Sequence, residues 1–159
     1  MSQPDRAFRF DGAGFAVDDE TRVVSVTSRG GLVVTSRGGL ALVEGDAAVR
    51  QAILLLLSTS PGERINRPDY GTHLHRLVFA PNDETTAGLA IHYVRQALRR
   101  WEPRVQVLDV DAGADPDIPS LLHIRLDYRV VATQANDTIA VSLDLHPMAA
   151  PRLAGGRVP

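Results

Sequence analysis

Two kinds of hydrophobic spacing divide this chain. From residue 46 to about residue 101 apolar positions recur every three to four residues, and beyond residue 104 they alternate with polar ones. In the first region Val49, Ile53 and Leu56 form a stripe widened by Ala52 and Leu55, which predicts a buried helix with Asp46 as its N-cap. Ser60-Pro61-Gly62-Glu63 then places proline and glycine where a type II turn wants them, so the helix gives way to a sharp reversal. Pro68 and Gly71 mark an irregular loop. "THLHRLVF" follows as a short helix capped by Thr72, with Leu77 and Phe79 expected in the core. A longer helix is predicted from Asn82 to Trp101, with Ala87, Ile91, Val94 and Leu98 on its buried stripe and Arg99 and Arg100 favourably placed at its C-terminus.

The second region reads as strands. Val105 and Val107 open one; Leu122, Ile124, Leu126, Tyr128 and Val130 define another; Ile139, Val141, Leu143 and Leu145 define a third. "ATQAND" joins the last two as an antiparallel hairpin. Before the helices, "TSRGGLVV" (27–34) is duplicated at once as "TSRGGLAL" (35–42), and its Gly-Gly pairs suggest hairpin turns between short strands near 22–28, 31–35 and 39–43. The expected fold is α+β: two main helices packed on a small antiparallel or mixed sheet that ends in a C-terminal β-hairpin, with short N-terminal strands. Residues 1–21 are expected as a flexible arm, 22–146 as one domain with the duplicated strand region at 22–43, and 147–159 as a Pro- and Gly-rich disordered tail.

Composition narrows the functions available. The length of 159 residues suits one domain with a sizeable core. A net charge of -2 and an aromatic content of 5% argue against a nucleic-acid partner. All 17 basic residues are arginine, which removes Schiff-base and Walker lysines, and the lack of cysteine removes thiol chemistry and disulfides. The longest apolar run, "AILLLL", is too short to span a bilayer, and the first residues show no signal-peptide pattern, so a soluble protein with no membrane partner is expected. The five histidines include "HLH" at 73–75 with no carboxylate at metal-ligand spacing, and neither a metal nor a cofactor is expected.

Three constellations remain. In "WEPRVQV" the residue before Pro103 must be extended, so Glu102 and Arg104 point to the same side, away from the valine face. They make either a local surface ion pair or a stiffened charged corner whose arginine fork meets a partner. Glu63, Asp69 and Glu102 are the carboxylates a glycosidase reading would recruit, but their spacing supplies no reason for one. The strand Thr138-Ile139-Ala140-Val141-Ser142-Leu143-Asp144-Leu145 offers only Asp144 against edge pairing, with Ala140 and Ser142 expected to face solvent. An undefended edge fits a strand supplied by a partner.

Pro61-Gly62-Glu63-Arg64 with Pro68-Asp69-Tyr70-Gly71, then a helix, Glu102-Pro103-Arg104 and an alternating hairpin, resemble the baseplate wedge or sheath-initiator family of contractile tails. That family includes the small wedge subunit of phage T4 and members in type VI secretion and extracellular contractile injection systems. The resemblance covers roughly residues 39–146. It implies a non-enzymatic assembly protein that docks to the wedge core bundle through Glu102, Pro103 and Arg104 and offers the C-terminal hairpin, over 138–145, to strands of the first sheath ring. Baseplate wedge proteins, sheath and inner-tube proteins are the implied partners, in several copies within a six-fold assembly. Assembly in the cytoplasm followed by residence in the baseplate of a phage tail or injection particle is the implied location. A generic strand-binding adaptor and a lysozyme-like glycosidase are the alternatives.

Overall fold

The structure, a computed structural model, describes residues 44–146 throughout and, before them, the backbone of short strands within 6–44. In chain order the elements are β1 (Arg6–Phe8), β2 (Phe10–Asp11), β3 (Ala16–Val17), β4 (Val23–Ser25), β5 (Gly31–Leu32), β6 (Leu42–Glu44), α1 (Asp46–Ser58), a 3-10 turn (His73–Leu77), α2 (Glu84–Trp101), β7 (Val105–Ala114), β8 (Leu121–Val130) and β9 (Asn136–Asp144). The fold is α+β, with two helices and the antiparallel run β7-β8-β9 as its body. The expected tail at 147–159 lies outside the described residues, as does most of the expected arm at 1–21.

The alternating pattern of the C-terminal half becomes one buried sheet face. Leu122, Ile124, Leu126, Tyr128 and Val130 of β8 join Ile139 and Val141 of β9 and Leu145, all buried. Against them pack Val49, Ile53 and Leu56 of α1 and Ala90, Val94, Ala97 and Leu98 of α2, in a single cluster. The helices start one or two residues from where the pattern placed them. Gly45, at φ 60, is the N-cap of α1, and Asp46 is its first residue. Asp83 caps α2 by accepting the Thr86 N–H at 2.8 Å, which satisfies one orphan donor of the first turn.

Three expectations are corrected. The short strands of the duplicated region do not pair across their glycines; β4, β5 and β6 pair antiparallel with β3, β2 and β1 respectively, so the six strands form nested ladders. Phe79 is 65% exposed. Its N–H donates to Leu145 O at 2.7 Å while its φ is 70, and this left-handed backbone turns the ring outward although Leu77 reaches the core. Ser142, expected at the surface, is 7% exposed, and Ala140 is half-buried. The cause is β4, which pairs parallel to β9 over Ala140, Val141 and Ser142.

A polar clip fastens α1 to the hairpin. Arg50 donates to Asp137 Oδ2 at 2.6 Å and to Thr138 O at 2.9 Å, and the Tyr128 hydroxyl donates to the same carboxylate at 3.0 Å. Burial, then the neighbouring carboxylate, pushes the Tyr128 phenol above its ordinary range. Burial would also raise the Asp137 carboxyl, yet the Arg50 guanidinium, the Thr138 N–H and the Tyr128 hydroxyl hold it below the usual carboxylate range. A depressed folded-state pKa stabilises the fold above the unfolded value near 4 and ceases to do so as pH falls through the folded value. Urea unfolding between pH 6 and 2 is therefore expected to show wild type losing more stability than Asp137→Asn as pH drops. At pH 7 Arg50→Met is expected to lower stability by about 1–3 kcal/mol, because it takes the charged partner from a partly buried carboxylate and leaves it only neutral donors.

Candidate functional site: the corner and the loop beneath it

The site is built where α2 ends. Glu102 is the C-cap, its N–H donating to Leu98 O at 2.9 Å, and its carbonyl accepts the Val105 N–H at 3.2 Å across Pro103. Proline forbids a further helical turn, so the chain leaves as a corner and Arg104 O at once accepts the Val131 N–H at 2.9 Å. Glu102 is 6% exposed. Arg104 grips its carboxylate with two bonds, Nε to Oε1 at 2.5 Å and Nη2 to Oε2 at 2.9 Å. The two side chains point together as expected, but neither a surface pair nor an open fork describes them. The carboxylate is buried and the fork closes on it in the planar bidentate geometry that arginine favours.

The corner stands beside the loop from Thr59 to Thr72. The loop is tied at its base by Thr72 N–H to Thr59 O at 2.9 Å and further out by Gly62 N–H to Pro68 O at 2.7 Å. Gly62 has φ 95, and the Glu63 N–H bonds Ser60 O at 3.2 Å, which completes the type II turn. Gly71 is forced: at φ 128, a Cβ would lie 2.4 Å from Thr59 O. Tyr70 tilts against Trp101 at 5.4 Å between ring centroids, and the Arg64 guanidinium lies 4.2 Å from the Tyr70 ring centre. Arg100 reaches Asp69 at 3.5 Å. Burial raises the Tyr70 phenol, with Arg64 opposing and Glu102 adding to the rise. Turn and corner, far apart in sequence, thus form one stiff surface.

Reasoning from sequence missed the tip of that surface. Ile65 is 97% exposed, and an aliphatic side chain between "GER" and "NRP" was the available signal. Arg64 and Arg67, exposed on either side, form no ion pair among the described residues.

The carboxylates a glycosidase would use are held by local partners. Glu63 Oε2 accepts the Ser60 N–H at 3.1 Å, Asp69 pairs with Arg100, and Glu102 is gripped by Arg104. A serine, histidine and aspartate do meet elsewhere: Ser142 Oγ lies 2.8 Å from His123 Nδ1, and His123 Nε2 lies 2.5 Å from Asp115 Oδ2. A carboxylate only accepts, so Nε2 carries a proton. Ser142 is too buried for a substrate carbonyl to reach it, and Asp115 also accepts the N–H groups of Asp117 and Ile118 at 2.7 Å. The chain of bonds pins the turn between β7 and β8 to the sheet. Among the described residues no three metal-ligating side chains stand together, and no helix is long and apolar enough to cross a membrane.

With this geometry in hand, comparison with known proteins is decisive. The family described as baseplate wedge protein gp25 matches residues 43–135. The chain belongs to that family. It is a baseplate wedge-like structural component of contractile tails, and its partners are other baseplate components. A structure from Geobacter sulfurreducens, provisionally named a tail lysozyme, is 31% identical with a TM-score of 0.60, covering 75% of this chain and all of that one. A chain of the anti-feeding prophage baseplate is 27% identical with a TM-score of 0.60, covering 63% of this chain and 80% of its own. A chain of the type VI secretion baseplate complex, 16% identical with a TM-score of 0.50, covers 62% of this chain and 91% of its own and is similar in fold. No curated protein matches the chain.

The buried corner predicts a particular pattern of energies. Arg104→Ala is expected to lower stability by about 1–3 kcal/mol, because it leaves a buried carboxylate without its fork. Arg104→Lys should recover only part, since an ammonium cannot bond both oxygens in plane. A double-mutant cycle with Glu102→Gln, read by urea unfolding, should return a coupling above about 0.5 kcal/mol.

Proposed function

We propose that this wedge protein is a sheath initiator with no chemistry of its own. It docks to the wedge core bundle through Glu102, Pro103, Arg104 and the adjoining loop, and it offers the β8–β9 hairpin to the first ring of sheath. The observation that carries the reading is the fusion of corner and loop into one rigid surface. That surface exposes Pro103, the half-exposed Arg104 and, at its tip, Ile65 between Arg64 and Arg67. A pre-organised surface loses little entropy on binding, and an apolar anchor rimmed by arginine is the composition of an interface hot spot.

The hairpin supports the second half. β9 is nine residues long, and β4 engages three of them. Parallel pairing is slightly weaker per residue than antiparallel pairing, so a longer sheath strand can take over this edge. In this reading the sheath and inner-tube proteins are neighbours, six-fold symmetry sets the copy number, and assembly takes place in the cytoplasm before the protein becomes part of the particle.

Ile65→Ser and Arg67→Ala are expected to melt like wild type, since both side chains are exposed, yet to enter baseplates less well by on the order of tenfold. Normal incorporation of both would remove the loop from the docking surface. Of Ala140→Pro and Ser142→Pro, the variant that keeps a native melting profile should enter baseplates and start no sheath; full-length sheath growing from it would rule out strand addition here. Purified protein should leave peptidoglycan and chitooligosaccharides intact. Cleavage abolished by Glu63→Gln or Glu102→Gln would overturn the non-enzymatic reading.

A further inference from the structure

The face of α2 turned away from the core has features that the fold itself does not use. Gly88, His92, Arg95, Gln96 and Arg99 line an open groove of about 560 Å3. These positions recur every three to four residues, so they make one continuous face about 16 Å long. An adjoining groove of about 380 Å3 carries Arg95 and Arg99 onward to Gln106 and Leu108 of β7. No carboxylate lines either groove. Arg95 touches Asp109 at 3.6 Å, both well exposed, and Arg99 has no ion pair among the described residues.

Gly88 is the second, independent sign. It lies inside α2 without a positive φ, and a Cβ added to it would meet nothing within 4 Å. Neither a turn nor the packing of this chain calls for glycine there, while glycine weakens a helix interior relative to alanine. A missing side chain on an exposed face permits another backbone to approach closely.

We infer that the outer face of α2 seats an acidic amphipathic helix of another baseplate protein. The partner helix crosses closest at Gly88 and presents carboxylates three to four residues apart to Arg95 and Arg99, whose forks suit bidentate pairing. The close-approach glycine favours a packed helix over a phosphate backbone, which needs charge but no such gap. The grooves adjoin the corner at Arg100 and Val105, but Gly88, His92, Arg95 and Arg99, on which the inference rests, lie outside Glu102, Pro103, Arg104 and the loop.

The test uses the full chain, co-assembled with the other baseplate components of its own particle. Gly88→Ala is expected to raise the Tm of the isolated protein by about 2–4 °C while lowering incorporation about fivefold or more. Arg99→Glu should lower incorporation at least as far with little change in Tm. A photo-crosslinking residue at position 92 should capture a peptide of another protein with Asp or Glu at three- or four-residue spacing. Wild-type incorporation of Gly88→Ala or of Arg99→Glu overturns the inference. So does a crosslink to nucleic acid or to a peptide without that acidic pattern, or no crosslink at all. Ile65→Ser, which is expected to melt like wild type, run in parallel reports on docking through the corner and loop separately.

Discussion

The constraint on which the rest depends is the carboxylate of Glu102, buried where α2 meets β7. A buried charge without a partner is among the most destabilising features a small domain can carry. Arg104, two residues on, is the partner, and Pro103 holds the two in reach by fixing the backbone between them. Pro103 sets where the helix stops, and the fork, which closes only when the chain turns here, holds the corner from which the strand begins. Arg104 O then meets the Val131 N–H, which ties the start of β7 to the end of β8. The loop from Thr59 to Thr72 leans on the same corner through Tyr70 and Trp101. An interaction that looks like a docking device is first of all a fastening, and its rigidity is what makes the surface around it suitable for docking.

The sheet manages its two sides differently. β7 carries a register irregularity between Val107 and Asp109 and exposes Asp109 and Asp111. A bulge and acidic side chains are standard defences against unwanted strand pairing. β9 has little of this protection, and part of its outer side is taken instead by β4 from the same chain. The undefended strand is thus covered internally over three residues rather than left bare.

Much of the fold was legible because period and burial agree. The alternation of β8 maps directly onto buried positions, and the stripe of α2 does so at Val94 and Leu98, while Ala87 and Ile91 lie half-buried at its edge and Ala90 and Ala97 take the centre, since each element has one face on a single core. The misses share a cause. Phe79 is apolar, but its outward ring follows from a backbone bond to Leu145, 66 residues away in sequence; Ser142 is polar, yet it is covered by β4. The nested pairing within 6–44 was hidden for a related reason: duplicated Gly-Gly segments permit several hairpins, and distant partners decided among them. At the site, spacing alone put Glu102 and Arg104 on one side. It could not reveal that the carboxylate was buried, because burial there comes from the surrounding fold and not from local pattern.

Charge is unevenly placed on a chain whose net value is only -2. Arg64, Arg67, Arg99 and Arg100 stand exposed on the loop and the far half of α2, whereas Asp109, Asp111 and Asp117 stand exposed along β7 and the turn after it. Opposed patches on a nearly neutral body contribute little to average attraction and much to orientation. All 17 basic residues are arginine, so the side-chain type that holds Asp137 and Glu102 inside the domain also populates its exposed faces. Arginine suits both settings because its planar fork bonds two acceptors in one geometry and is weakly hydrated. At the docking faces proposed above, that geometric demand favours one partner pose over the many that net charge alone would allow.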